Sequence, residues 1–259
     1  MHLDKFLRES FTKIDLLVQS NEFENGHNGP YRDEETDVRK LAHLLVLYSN
    51  IIKSNLLPER NDLIPRLKLI LDQLLNNENY KSGAYFRCRL KPGKDEVNGV
   101  IGVAWVIEGL CAAYEVLEDQ NILIFLEEII NAIKFNQQRN LWERPTYINT
   151  NKSGIDETFN HQLWIAYALI YYSKVTNKEI LLDVKSFFSN LDKHLTIHQD
   201  GLIKHALENK YGNKNRLKSY LKKWKISLES KLKGKTTRYK ENGYHLFNMF
   251  AFARIYYLG

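Results

Sequence analysis

Four segments of this chain, residues 38–53, 99–117, 159–174 and 244–258, are apolar around most of the circumference that a helix would present. A helix of that kind has to be covered on several sides. Between them run one-sided stripes at the 3.6-residue period. The first is Leu63, Leu67, Ile70, Leu71, Leu74 and Leu75, and the second Ile122, Leu123, Leu126, Ile129, Ile130 and Ile133. A third is Ile180, Leu181, Val184, Phe187 and Leu191, and a fourth Leu217, Tyr220, Leu221, Trp224 and Leu228. Apolar helices alternating with amphipathic ones make a degenerate repeat of helical pairs, whose stacking buries a core that no pair buries alone. The expected fold is all-α: an inner layer of apolar helices backed by an outer layer, with a ring as the simplest closure. Thirteen Gly and five Pro in 259 residues are too few for the frequent turns of a sandwich or barrel. One domain over 1–259 is expected.

The first residues, 3–18, carry charges every few positions and read as an amphipathic helix rather than a leader peptide. No stretch reaches the roughly 18 uncharged apolar residues of a membrane span, so a soluble, cytoplasmic protein is expected. Cys88 and Cys111 suggest neither a disulfide framework nor a zinc pattern and read as structural thiols. The net charge of +6 belongs to one segment, because residues 209–240 hold twelve Lys or Arg against the single acid Glu229. That segment reads as a solvated outer face or, more sharply, as a docking surface for an anionic polymer or for the inner membrane. No nucleic-acid recognition motif accompanies it, and no nucleic acid is expected as a partner.

Chemistry is concentrated in the segments leading into the apolar helices. Asn98 and Gly99 precede the helix carrying Trp105, Glu157 and Thr158 the one carrying Trp164, and Asn242 and Gly243 the one carrying Met249. The run Gly29-Pro30-Tyr31-Arg32-Asp33-Glu34-Glu35-Thr36-Asp37 precedes the first. Taken singly, such residues read as helix N-caps. On one rim, however, they would surround a space into which helix N-termini point unpaired N–H groups. Aromatic rings beside carboxylates and amides suit a saccharide, with its apolar ring face and fringe of hydroxyls.

The densest cluster is Asp156-Glu157-Thr158-Phe159-Asn160-His161-Gln162-Leu163-Trp164. Asp156, Glu157 and His161 are candidate acid–base groups, joined by His245 on the last helix. Arg32 and Arg87 are candidates to neutralise a uronate. Asp33, Tyr85, Asn98, Trp105, Asn160, Trp164, Glu241, Tyr244 and Asn248 are candidate saccharide contacts. Glu241, His245 and Asn248, spaced four and three apart, share a helix face and fit a buried hydrogen-bond network equally well. Glu108, alone in an apolar helix, calls for a partner such as an Arg on a neighbouring helix. His194 and His198, with His205 nearby, have no diagnostic third ligand, and neither metal nor cofactor is assigned. Phosphate loops, Ser-centred elbows and zinc-deaminase spacings are absent from the sequence.

Three stretches, Asn98-Gly99-Val100-Ile101-Gly102-Val103-Ala104-Trp105-Val106-Ile107-Glu108, Thr158-Phe159-Asn160-His161-Gln162-Leu163-Trp164 and Tyr244-His245-Leu246-Phe247-Asn248, resemble the six-hairpin glycosidase-like superfamily of α/α-toroids. They look like toroid proteins encoded with bacterial surface-polysaccharide and capsule genes. The resemblance implies a toroid, here of about four hairpins plus the N-terminal helix, so that the ring is expected to be partial or open. It also implies a hydrolase, lyase or epimerase acting on an acidic polysaccharide or its intermediate. The alternative is a non-catalytic scaffold that binds glycan or partner proteins during surface-polysaccharide assembly.

Overall fold

The computed structural model describes residues 2–28, 33–146, 154–207 and 237–259. Among them are α1 (His2–Gln19), α2 (Asp37–Lys53), α3 (Leu63–Leu75), α4 (Gly99–Leu117), α5 (Gln120–Ala132), α6 (Phe159–Val175), α7 (Leu182–Ser189), α8 (Leu191–His194) and α9 (Thr237–Leu258). Three antiparallel two-stranded ribbons lie between helices: β1 (His27–Asn28) with β2 (Asp33–Glu34), β3 (Tyr80–Ser82) with β4 (Tyr85–Phe86), and β5 (Phe135–Asn136) with β6 (Leu141–Trp142). The protein is mainly α-helical. Of the basic segment 209–240, residues 209–236, which include the fourth amphipathic stripe at 217–228, lie outside the described residues.

The apolar helices pack in sequence, α2 on α4, α4 on α6 and α6 on α9, while α3, α5 and α7 lie against α2, α4 and α6 respectively. The stripes read from the sequence face inward, with Leu63, Leu67, Ile70, Leu71 and Leu74 of α3 buried along with Ile122, Leu126 and Ile129 of α5. The third stripe breaks at Asn190 into α7 and α8, of which Val184 and Phe187 are fully covered. Alpha-4 is long and apolar enough to cross a membrane, but it is buried between its neighbours over 78% of its most apolar stretch. Its approach to α2 is close enough to need glycine, since a Cβ on Gly109 would sit 2.7 Å from the carbonyl oxygen of Ala42. Glu108 finds the partners it requires: the Tyr167 hydroxyl donates to Oε1 at 2.9 Å, and Arg254 Nε donates to that hydroxyl at 3.1 Å. Cys88 and Cys111 are buried and unpaired.

The lead-ins to three inner helices are tied to one another by hydrogen bonds and so lie at one end of the layer. Thr36 N–H donates to the Cys88 carbonyl at 3.1 Å, and Leu90 N–H to that of Glu34 at 3.2 Å. Val100 N–H donates to Asp156 Oδ2 at 2.9 Å, and Phe159 N–H to the His205 carbonyl at 2.9 Å. The last helix departs from its expected start. Because α9 begins at Thr237, Asn242 and Gly243 lie within it rather than ahead of it, although amide and glycine side by side carry the local signature of a helix start.

Candidate functional site

The lead-in residues are not the caps of their own helices. Neither Thr36, Asn98 nor Thr158 caps with its side chain, and Asn98 adopts the left-handed conformation at φ 59°. The N-terminus of α4 is instead held by carboxylates from outside the helix. Asp95 Oδ2 accepts from Gly99 N–H at 2.7 Å, and Asp156 Oδ2, 56 residues further on, accepts from Val100 N–H at 2.9 Å. Two anions on the positive end of a buried helix complement its dipole. The arrangement requires a glycine at position 99, because φ is +62° and a Cβ there would lie 1.8 Å from Asp156 Oδ2 and 2.6 Å from His161 Nδ1.

Asp156 thus does two things, since the same Oδ2 sits 2.7 Å from His161 Nδ1 while Oδ1 accepts Thr158 N–H at 3.2 Å. Burial pushes this carboxyl up, but the His161 charge and hydrogen bond, the Val100 N–H and Arg144 outweigh it and hold the group below the usual carboxylate range. An ionised carboxylate only accepts, so His161 donates from Nδ1, and in the neutral ring the lone pair is on Nε2. The dyad lines a cavity of about 290 Å³ with Asp33, Arg89, Gly93, Lys94, Asp95, Asn98, Arg144, Thr158, His205 and Tyr244. That volume is at the small end of ligand pockets.

The carboxylates of this cavity are largely committed to the protein itself. Asp33 pairs with Lys91, and Asp95 accepts from Val97 and Gly99 N–H at 3.2 and 2.7 Å. Arg89 donates to Asn98 Oδ1, and Arg144 lies 3.9 Å from Asp95 with 44% of its side chain exposed. His205 stacks on Tyr244, ring centres 4.6 Å apart, and its Nδ1 has no hydrogen-bond partner among the described residues. Burial, reinforced by the charge of His161, pushes the His205 imidazole down to about 4, so it is neutral at physiological pH. Burial also raises the Tyr244 phenol, which stays protonated as a donor.

Of the residues singled out from sequence, Asp33, Asn98, Asp156, His161 and Tyr244 meet at this cavity. Glu157, next to Asp156, is exposed, and its carbonyl accepts from Leu207 N–H at 3.0 Å. His245 Nδ1 faces Ile203 N–H at 3.5 Å. Tyr85 donates its hydroxyl to Glu96 at 2.9 Å, and Arg87 approaches the same carboxylate at 4.0 Å. Glu241 is buried, accepting from His198 Nε2 at 3.0 Å and from His205 N–H at 3.2 Å. Trp105 is covered by the Arg39 guanidinium 4.6 Å above its ring, and Trp164 by Phe247 stacked at 3.9 Å. Neither indole is an open platform. Asn160 and Asn248 are also buried away from the cavity lining. Arg32 lies outside the described residues.

Arg89, Lys94, Asp95, Arg144 and His205 join the site without having been singled out for it. A signal for Arg89 exists in the alternation Phe86-Arg87-Cys88-Arg89, whose apolar members are 1% and 0% exposed while the arginines take the other side. No group of three or more His, Cys, Asp or Glu able to hold a metal ion occurs among the described residues. A larger recess of about 410 Å³ lies between α1, the 23–26 turn and α2. Ile14, Phe23, Leu44 and Leu47 line it together with Glu24, Asn25, Lys40 and others, its Glu35 is held by Arg39 at 3.1 Å, and burial with the charge of Arg39 pushes its His43 down to about 4.

The fold and site together define a mainly helical protein with a buried carboxylate–imidazole pair in a cation-bearing rim pocket. No protein-family profile matches the chain. It is similar to archaeal glycosylation protein Q of Haloferax volcanii, with 29% identity over 242 residues that cover 88% of this chain and 63% of the relative. The chain therefore spans less than two thirds of the length of that protein.

Proposed function

We infer that the protein acts in glycan metabolism, and that the rim pocket is an acid–base site for an anionic saccharide. The similarity to a glycosylation protein supports the first part. The second is carried by the Asp156–His161 contact of 2.7 Å in a cavity that also holds Arg89, Lys94 and Arg144. On this reading the packing order α2–α4–α6–α9 is the inner layer of an open α/α-toroid whose lead-ins form the substrate rim.

In the mechanism, Arg89 and Arg144 engage the sugar carboxylate and lower the energy of charge delocalised onto it. His161 Nε2 takes the proton from the adjacent carbon, and Asp156 steadies the imidazolium that results. Tyr244, protonated and also in the cavity lining, is the donor. Return of a proton to the other face gives epimerisation; expulsion of the β-oxygen, protonated by Tyr244, gives a lyase reaction. Hydrolysis would need a free acid and a second free carboxylate, whereas Asp33, Asp95 and Asp156 are engaged by Lys91, backbone N–H groups and His161. The pocket therefore fits proton transfer at carbon better than glycoside hydrolysis.

The test is turnover of a panel of uronate-containing oligosaccharides, followed by unsaturated product and by deuterium uptake from solvent. His161→Ala should lose roughly 100-fold or more in kcat/KM, with an unchanged circular dichroism spectrum. Wild-type-like turnover in that variant would remove the assignment, and saturable binding without any turnover would transfer the pocket to a glycan-binding scaffold.

A further inference from the structure

The floor of the rim pocket extends beyond the pocket itself. Residues 33–35 run extended beside 88–90, with Glu35 paired opposite Arg89 and Leu90 N–H donating to the Glu34 carbonyl at 3.2 Å. Residues directly opposite in an antiparallel pair, and residues two apart on one strand, stand on the same face. Asp33, Glu35, Arg89 and Lys91 therefore share a face, and the Asp33–Lys91 ion pair agrees with that register. Asp33 and Glu35 are both buried, while Glu34 between them is open. Asp33 and Arg89 line the rim pocket, whereas Glu35, roughly 7 Å along the strand from Asp33, lines the recess of about 410 Å³ against α1 and α2.

The two cavities also share a charged wall. Arg39, in the first turn of α2, donates from Nη1 to both carboxylate oxygens of Glu35 at 3.1 and 3.3 Å and from Nε to His43 Nε2 at 3.4 Å. Its Nη2 has no partner among the described residues, and 30% of the side chain is exposed. A guanidinium held by a buried carboxylate is a preorganised donor. From the rim side, the Tyr244 phenol is raised by burial and acted on by the charges of Arg89, Arg39 and Glu35. Beyond Arg39 the recess offers apolar surface from Phe23, Leu44 and Leu47, and hydrogen-bonding groups from Glu24, Asn25 and Lys40. Apolar surface beside hydrogen-bonding groups matches a sugar ring, with its apolar face and fringe of hydroxyls. Glu24 and Glu35 balance Arg39 and Lys40, and His43 is neutral at physiological pH, so the lining carries no net charge.

We propose that the recess is a second subsite of the same cleft, holding a neutral sugar linked to the acidic sugar that occupies the rim pocket. The proposal rests on the assignment of that pocket to an anionic saccharide and adds that the substrate is an oligosaccharide rather than a single sugar. Size supports it, because the rim cavity of about 290 Å³ is at the small end of ligand sites while the recess lies well within their range. The absence of net charge in the recess lining favours a neutral unit there over a second uronate or a phosphate. Arg39 is the specificity-determining residue between the two subsites, its Nη2 placed to donate to the linked sugar.

The test is titration calorimetry of the full chain with the uronate that the rim pocket binds best. It is offered as its methyl glycoside, as its octyl glycoside, and as the two disaccharides that join it to a neutral hexose through either end. One disaccharide should bind roughly tenfold tighter than the methyl glycoside. Phe23→Ala and, separately, Asn25→Ala should each cut that gain roughly threefold and leave the methyl glycoside unaffected. Asn25 is exposed, so its replacement leaves the fold intact, and circular dichroism verifies this for Phe23→Ala. Methyl glycoside and disaccharides binding equally well overturns the proposal while leaving the rim assignment in place. So does a gain that both variants leave untouched, which puts the second sugar elsewhere. An octyl glycoside that gains as much as the disaccharide, with no effect of Asn25→Ala, overturns it in favour of an apolar chain. Failure of every uronate probe to bind removes the rim assignment itself, and this proposal with it.

Discussion

Alpha-6 and α9 carry the same message in sequence, apolar residues on every side, yet they meet opposite fates. Fourteen residues of α6, from Phe159 to Ser173, are buried, because α4 and α9 flank it and α7 lies behind. On α9 Ala251, Asn248 and Glu241 are enclosed while Leu246, Met249, Phe250, Tyr256 and Tyr257 stand open. The contrast teaches that an all-round apolar pattern states a requirement for cover and says nothing of where the cover comes from. For α6 it comes from the same chain. For α9, among the described residues, it comes from α6 and from the 198–205 connection that meets its first turns.

The contrast can be broken or sharpened by measurement. The largest effect is expected at the closed end of the layer, where Gly99→Ala drives a Cβ into the Asp156–His161 pair at an unfavourable backbone angle. A loss of about 4 kcal/mol is expected, read by urea denaturation, and a near-neutral result would mean that the α4 N-terminus yields easily. Next comes a direct pairing of enclosed and open leucines. Leu110→Ala in α4, at 0% exposure, should cost about 3 kcal/mol. Leu246→Ala in dilute solution should stay within about 0.5 kcal/mol of wild type. Equal costs would show that α9 is covered after all.

The smallest effect is in the acid range. His43 and His205 are each pushed down to about 4 in the folded protein, against an ordinary value of 6.5. The unfolded chain then binds more protons than the folded one between those values, so stability rises with pH across that window and falls as pH drops from 6.5 towards 4. Each imidazole contributes on the order of 3 kcal/mol to the total change across that window. His205→Gln, beside α9, should flatten it by about half, and an unaltered slope would mean that the α6–α9 junction admits water freely.

Much of the site was legible because its central run is dense. Asp156, His161 and Trp164 stand out in nine consecutive residues, but adjacent carboxylates cannot be told apart by composition. The chain is extended from 154 to 158, so successive side chains point to opposite sides. Asp156 goes inward, 1% exposed, and Glu157 goes out. The same parity separates Arg87 and Arg89 from the buried Phe86 and Cys88, but it does not tell the two arginines apart, and only Arg89 reaches the cavity. Arg144 and His205 were illegible for a different reason: each arrives on a connection, after β6 in one case and after the 197–203 turn in the other, whose path depends on the helices beneath it. The tryptophans mislead in the opposite sense. They have the chemistry of a sugar platform, but packing turns Trp105 under Arg39 and Trp164 under Phe247.

The helices themselves and the inward faces of the described stripes follow from the chain alone, because hydrophobic period is a local property that a helix cannot evade; of the four expected lead-ins, those of α2, α4 and α6 meet, while Asn242 and Gly243 lie within α9. The remaining features are non-local. Only the packed structure makes Asp156 the cap of a helix that begins 57 positions earlier, chooses it over Glu157 as the partner of His161, and leaves α9 open on one side. Each of these depends on which groups are brought together across the layer, and no periodicity within a segment encodes the identity of its neighbour.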